Sequence, residues 1–261
     1  MPSKTHLLLL PSYNTGKKVV EVVREALAHW QPVWVVVDGS TDGTGKLLQE
    51  LAATQRHLRV LVLKKNRGKG GAVLHALDAA AKKGFTHVLC MDADGQHPAA
   101  KIRDFMLLSQ ENPDAMILGR PVFDSTAPLL RVYWRKLSNF WADVETLWAG
   151  IGDSLFGFKL YPVKELRRVM HGIRWARRYD FDPEVNVRLC WEGVRPVNLS
   201  CPVRYFTAEQ GGVSHFKYLR DNGLLAWMHV RLFAGFLLRL PFFWRWRRWK
   251  TRGAAANTKA A

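Results

Sequence analysis

Residues 33–44 read VWVVVDGSTDGT: five apolar residues, three of them consecutive valines, halted by a cluster of aspartate, glycine, serine and threonine. The run is too short for a helix and has no polar alternation, so it reads as a strand buried on both faces; the cluster carries turn and helix-capping chemistry. Upstream, Leu7–Leu10 is a second such run, closed by Pro11, and Val19, Val22, Val23, Ala26, Leu27 and Trp30 follow at helical spacing. Downstream, Leu47, Leu48, Leu51 and Ala52 give the next helical face, Val60–Leu63 a third strand, NRGKGG a glycine-rich turn and Ala72–Lys83 a helix. A fourth strand, His87–Met91, ends at DAD. Pro98 suits a first helical position ahead of Ile102, Phe105 and Met106, and Ala115–Leu118 is a fifth strand. This order predicts an α/β fold, a mostly parallel sheet with helices on both faces. Beyond it, 124–150 reads as a Trp-rich helix, 152–162 as a turn plus strand and 184–205 as a helix followed by a strand.

In such a sheet ligands sit beyond the carboxyl ends of the strands. PSYN, DGSTD and DADGQ all fall there, after strands one, two and four. Asp92 and Asp94, one residue apart at a strand end, either hold a hard divalent cation through their oxygens or form an ordinary acidic turn. Asp38 either meets a nucleobase or ribose or caps the following helix, a task that suits Asp42 as well. NRGKGG offers amides and the cations Arg67 and Lys69 beside a helix start, a place for anions, but Val73 stands where a dinucleotide fingerprint needs its third glycine.

Composition narrows the classes. The 261 residues are 48% hydrophobic and 11% aromatic, enough apolar surface for a core and against general disorder. Cys90, Cys190 and Cys201 are widely spaced, without metal-ligand or disulfide patterning, and read as buried small hydrophobes in a reducing compartment. LLLL runs directly into PSYN with no cleavage pattern, so the expectation is a mature cytoplasmic N-terminus. The formal charge is +17; eight of those charges lie beyond Asp221, the last acid, leaving +9 on residues 1–221. A modest excess on the body suits an anionic substrate, and a concentrated one on an aromatic tail suits a surface.

In sequence order, LLLLPSYN, VVVDGSTDGT, NRGKGGAV and MDADGQHP resemble the motifs of the family-2 glycosyltransferases, over roughly residues 5–217. GRPVFD, RKLSN, DSLFGFKLYP and PVRYF are similar to the polyprenyl-phosphate mannosyl- and glucosyltransferase branch. The resemblance implies a GT-A fold and a nucleotide-sugar donor such as a UDP- or GDP-sugar. It implies that Pro11, Tyr13, Asn14, Asp38 and Ala93 line the donor, that Asp92, Asp94 and Gln96 surround Mg²⁺ or Mn²⁺, and that Arg120, Arg135 and Ser138 meet a lipid-linked acceptor phosphate. Displacing a nucleoside diphosphate requires charge stabilisation on the leaving phosphates, which a metal supplies; attack from the opposite face inverts the anomeric carbon. A phosphate acceptor needs no strong base. A hydroxyl acceptor, as on another glycolipid, does, with Asp153 and Glu184 as candidates against their structural alternatives. Arg204, His215 and Lys217 flank two glycines in a segment that either closes over diphosphate or is a solvated basic loop.

Residues 223–249, GLLAWMHVRLFAGFLLRLPFFWRWRRW, contain no run of 18 apolar residues. At helical spacing Arg231, Gly235 and Arg239 form a narrow polar stripe on an apolar helix, the pattern of an amphipathic helix lying in an anionic membrane interface; packing on its own domain is the alternative. Three units follow: a catalytic domain over 1–218, an interfacial segment over 219–250 and a disordered tail over 251–261. The expected location is peripheral, on the cytoplasmic face of the membrane. A basic protein binding nucleic acid or anionic lipid is the competing class, disfavoured because Asp38 and the DAD acids would stand in its cleft.

Overall fold

The computed structural model describes residues 1–122, 129–203 and 218–240. Strands β1 (His6–Ser12), β2 (Val33–Asp38), β3 (Leu58–Leu63) and β4 (His87–Cys90) alternate with helices α1 (Lys18–His29), α2 (Thr44–Thr54) and α3 (Lys69–Lys82). After a short 3₁₀ turn come α4 (Ile102–Glu111), β5 (Ala115–Val122), α5 (Leu129–Glu145), β6 (Lys159–Pro162), α6 (Val163–His171), α7 (Phe181–Trp191), β7 (Arg195–Pro202) and α8 (Tyr218–Arg239). One sheet runs β3-β2-β1-β4-β6-β5-β7. Its pairs are parallel except those of β6, which runs antiparallel to β4 and β5.

The continuous apolar runs follow from burial on both faces. Leu7 and Leu9 pack with α3, α6, α7 and α8, while Leu8 and Leu10 pack with α1, α2 and α4. Pro11 does not end β1, which continues to Ser12. Pairing with β4 stops at Leu9, so the sheet opens there and the missing proline N–H breaks no ladder bond to β4. The split of the sheet between β1 and β4 places the ends of β1, β2 and β4 around one cleft. Because β6 is antiparallel, its first residue, Lys159, pairs with Cys90 and brings the 153–158 segment to the same edge.

Several boundaries differ from the sequence reading, three of them in the helices. Helix α3 starts at Lys69, three residues early, with Gly70 and Gly71 in its first turn; α6 has no counterpart in the sequence reading; and the long helix ends at Glu145 instead of 150, residues 124–128 of the expected range lying outside the described residues. All three cysteines are buried and free.

Candidate active site

Asp92 lies just past β4, and its Oδ1 is 2.7 Å from Lys69 Nζ. The same ammonium is 2.7 Å from Asp182 Oδ2, in the first turn of α7. Lys69 thus bridges two carboxylates. Burial opposes its charge, but the two carboxylates outweigh that and hold it protonated well above the ordinary lysine range. Burial likewise opposes the charge on Asp92, and Lys69 outweighs it, keeping this carboxyl ionised. Asp94 has no such counter-ion: burial, then repulsion from Asp92, push it up to about 6. Its Oδ1 accepts the Gln96 amide at 2.9 Å, closing a tight turn.

His97 fixes the other end of that turn. Its ring stacks on Phe158, with centroids 5.1 Å apart, and meets the edge of Phe156. Burial pushes it down to about 4, so the neutral ring accepts the Asp92 amide at Nδ1, 3.2 Å away. Gly157 passes so near that a Cβ would collide with the Asp92 carboxylate and Lys69 Nζ. A methyl there would have to displace the Asp92–Lys69 pair.

Across the cleft, Asp38 accepts the amides of Arg67 at 2.7 Å and Gly68 at 2.8 Å, one on each oxygen. The Gly70 amide donates to Arg177 O, and a Cβ on Gly68 or Gly70 would run into the carbonyls of Arg177 or Ala176. Three of the NRGKGG amides expected to cradle an anion, those of Arg67, Gly68 and Gly70, are therefore engaged with Asp38 and the Arg177 carbonyl, and the glycines permit that close approach. Asn14 stitches the first two loops together: its amide donates to Ser40 Oγ and its Oδ1 accepts the Thr41 amide. Asp42 accepts the Thr44 amide at the start of α2 and the Gly16 amide. Pro11 is half-buried beside exposed Tyr13, and Ala93 is buried between Asp92 and Asp94.

The acceptor-side residues divide. Arg120 is exposed at the end of β5. Arg135 Nη1 is 2.8 Å from Asp153 Oδ1, which also accepts the amides of Leu155 and Phe156. Asn139 reaches the other Asp153 oxygen. Ser138 is buried against His229 of α8. Glu184 is fully buried between Arg188 and Arg231. Both sequence candidates for a base are thus engaged by cations, whereas Asp182 Oδ1 is buried without a hydrogen-bond partner. Burial raises the proton affinity of Asp182 despite Lys69. The sequence reading missed this residue; the acids of DFDPE at a helix start were its signal, and Glu184 was chosen from them. Arg204, His215 and Lys217 lie outside the described residues, as does everything after 240.

The glycosyl transferase family 2 model matches residues 8–164, more than half of the chain. The chain belongs to that family. This transferase is 28% identical over 220 residues to the polyprenol monophosphomannose synthase of Mycolicibacterium smegmatis, covering 82% of this chain and 81% of that protein. It is 30% identical over 213 residues to the dolichyl-phosphate beta-glucosyltransferase of Homo sapiens, covering 70% of this chain and 62% of that protein. A solved glucosyl-3-phosphoglycerate synthase of Mycobacterium tuberculosis, crystallised with Mn²⁺, UDP-glucose and phosphoglyceric acid, superposes with a TM-score of 0.60 at 16% identity, covering 89% of this chain and 79% of that one. The sheet expected from the motifs is the fold observed, and the transferase shares it with that structure.

Among the described residues, no group of three or more His, Cys, Asp or Glu side chains converges as a metal site. The donor set still suits a divalent cation. Asp92 and Asp94 are close enough for the charge of one to raise the proton affinity of the other, and Asp94 lacks the counter-ion that Lys69 gives Asp92. Two hard oxygen donors, Asp92 held ionised by Lys69 and Asp94 with its proton affinity raised by burial and by Asp92, fit Mg²⁺ or Mn²⁺ when a substrate completes the shell.

Proposed function

We propose that this transferase moves a sugar from a UDP- or GDP-sugar to a lipid-linked phosphate at a membrane surface, inverting the anomeric carbon. The observation that carries it is the Asp92–Lys69–Asp182 bridge with Asp94 beside it, at the carboxyl end of β4. The names of the two relatives supply the acceptor class, and the Mn²⁺ and UDP-glucose of the tuberculosis enzyme supply the donor and metal class. Pro11, Tyr13, Asn14 and the Asp38-braced turn line the nucleoside side; Asp92 and Asp94, with Gln96 in their turn, hold the metal. A divalent cation there compensates charge on the departing diphosphate as a Lewis acid. The acceptor phosphate oxygen forms its bond to the sugar carbon as the carbon–diphosphate bond breaks on the opposite face. Arg120 and Arg135 hold that phosphate through charge-assisted hydrogen bonds, and the described face of α5 is where it approaches.

A second reading is transfer to a hydroxyl, with the unengaged oxygen of Asp182 accepting the hydroxyl proton; that oxygen is buried, so this role requires the site to open around it. The surface reading rests on exposed apolar side chains. Tyr133, Trp134, Leu137 and Phe140 of α5 and Trp227, Val230, Leu237 and Leu238 of α8 face outward on two helices that pack together. No helix among the described residues is long and apolar enough to cross a membrane. Residues 1–218 form the catalytic unit in this reading and 219–250 the interfacial one, peripheral on the cytoplasmic face. The test incubates the protein with UDP-glucose or GDP-mannose, Mn²⁺, and either a polyprenyl phosphate or its dephosphorylated alcohol. Phosphate-only transfer supports the first reading and alcohol-only transfer the second; transfer to neither removes both.

A further inference from the structure

Helix α8 turns its polar side inward. His229 Nε2 is 2.9 Å from Ser138 Oγ and its Nδ1 2.9 Å from Glu145 Oε1, both on α5. Glu145 is fully buried and its second oxygen has no partner. Two residues on, Arg231 Nη2 is 3.0 Å from Glu184 Oε2 of α7, and its guanidinium lies over the Trp175 ring, 4.7 Å from the centroid. Around these contacts Met228, Leu232 and Phe236 pack in the core. A wholly apolar seam would hold α8 as well, since replacing a buried ion pair by packed hydrophobes is often neutral or stabilising. What polar contacts add is a fixed register.

Each contact lies one step from the site. On α5, Arg135 and Asn139 flank Ser138 and grip Asp153 and Ser154, the start of the segment whose Gly157 abuts Asp92 and Lys69. On α7, Asp182 lies one residue beyond Pro183 from Glu184 and shares Lys69 with Asp92. The two arms of α8 therefore end on opposite sides of one carboxylate–lysine bridge.

We propose that His229 and Arg231 are positioning residues: through Ser138 and Glu145 on one side and Glu184 on the other, α8 sets the two elements that frame the acceptor side of the bridge. This rests on the transfer reading for its kinetic consequence but not for its structural one, and the test separates them. His229→Ala and Arg231→Met are compared with Leu232→Ala, a buried apolar truncation on the same helix that deletes neither polar contact. Amide hydrogen exchange should rise about tenfold over 153–158 in His229→Ala and over 181–186 in Arg231→Met, with no selective rise in Leu232→Ala. Transfer from UDP-glucose to a polyprenyl phosphate should fall about tenfold relative to donor hydrolysis by water in both variants, and Arg231→Lys should recover part of it. Exchange and kinetics that match Leu232→Ala at equal loss of melting temperature overturn the proposal. Selective exchange with no sugar transfer even by the wild type removes the transfer reading and leaves the positioning role standing.

Discussion

Replacing Lys69 by methionine tests the centre of the site. The substitution keeps the volume of the stem and deletes an ammonium that lies 2.7 Å from each of two carboxylates. Removing one partner of a buried ion pair costs about 3–5 kcal/mol. Asp182 is nearly inaccessible, but a third of the Asp92 side chain is open to water, and that screening sets the expected loss at the lower end, about 3 kcal/mol. For a urea m-value of about 2–3 kcal/mol/M, this moves the unfolding midpoint down by about 1 M. The deficit should be measured in EDTA, because Asp92, Asp94 and Asp182 have then lost their nearest counter-ion, with the more distant Lys159 left to act on Asp92 and Asp182. Saturating Mn²⁺ should narrow the gap, since a ligand that binds the native state stabilises it and the variant offers it the more negative site. A midpoint within about 0.3 M of wild type in EDTA, or a gap that Mn²⁺ widens, would refute the view that Lys69 is the counter-ion of this carboxylate cluster.

Asp94→Asn should abolish sugar transfer while leaving the urea midpoint unchanged or raised, because it deletes a charge that the apo site already disfavours; undiminished turnover, or wild-type turnover indifferent to EDTA, contradicts the metal assignment. Gly70→Ala should lose about 2–3 kcal/mol because its methyl meets a backbone carbonyl that cannot rotate away, whereas Gly223→Ala, facing open space inside α8, should gain about 0.5–1 kcal/mol; equal denaturation midpoints for the two would contradict the packing described for the glycine turn. Burial and then His87 hold His6 down to about 4. The unfolded imidazole titrates near 6.5, so between these values only the unfolded state takes up the proton and stability should fall as pH drops from about 6.5 to 4; His6→Gln should flatten that melting-temperature profile, and an unchanged slope counts against it. Trp227→Ser with Leu237→Ser and Leu238→Ser should abolish flotation with anionic liposomes at unchanged melting temperature; a variant that still floats removes the outward face as the docking surface.

The strands of the first half were legible because burial on both faces writes itself as an unbroken apolar run, as in Leu7–Leu10 and Val33–Val37. The strand-end positions of Asp38 and Asp92 were legible because polar clusters fall where those runs stop. Partnerships made in space were not. Asp182 meets Lys69 across 113 residues of chain, and nothing local to DFDPE distinguishes the acid that bridges a lysine from the one that pairs with Arg188 and Arg231. The antiparallel direction of β6 is equally silent in KLYP, whose four residues are all buried. Glycine turns misled in a different way. Their amides looked available for an anion, but availability depends on what packs against them, and the 176–178 backbone does.

Helix α8 shows why a polar stripe does not by itself say which way a helix faces. The sequence presents Arg231, Gly235 and Arg239 as the narrow polar stripe of an interfacial helix. In the fold Arg231 reaches Glu184, Gly235 lies against Trp191, Arg239 stacks on that same indole with its guanidinium 4.6 Å from the ring centroid, and Phe236 is buried. The stripe faces the protein because α7 supplies a buried carboxylate and an aromatic plane, partners that hydropathy cannot register. Apart from Arg220 and Arg239 near its two ends, what remains outside is apolar, and it continues onto α5 through the edge-to-face contact of Phe233 with Trp141. Soluble monomers rarely present so much contiguous apolar surface to water. The inversion therefore strengthens the case for a covered face while moving it: the surface-seeking part of α8 is the side carrying Trp227, Val230, Leu237 and Leu238. Its inward side belongs to the catalytic core. Deleting the helix would expose Leu232 and take Arg231 from Glu184, leaving it Arg188 alone, so loss of lipid binding on truncation would report unfolding as readily as docking. Only substitutions confined to the outward side separate the two.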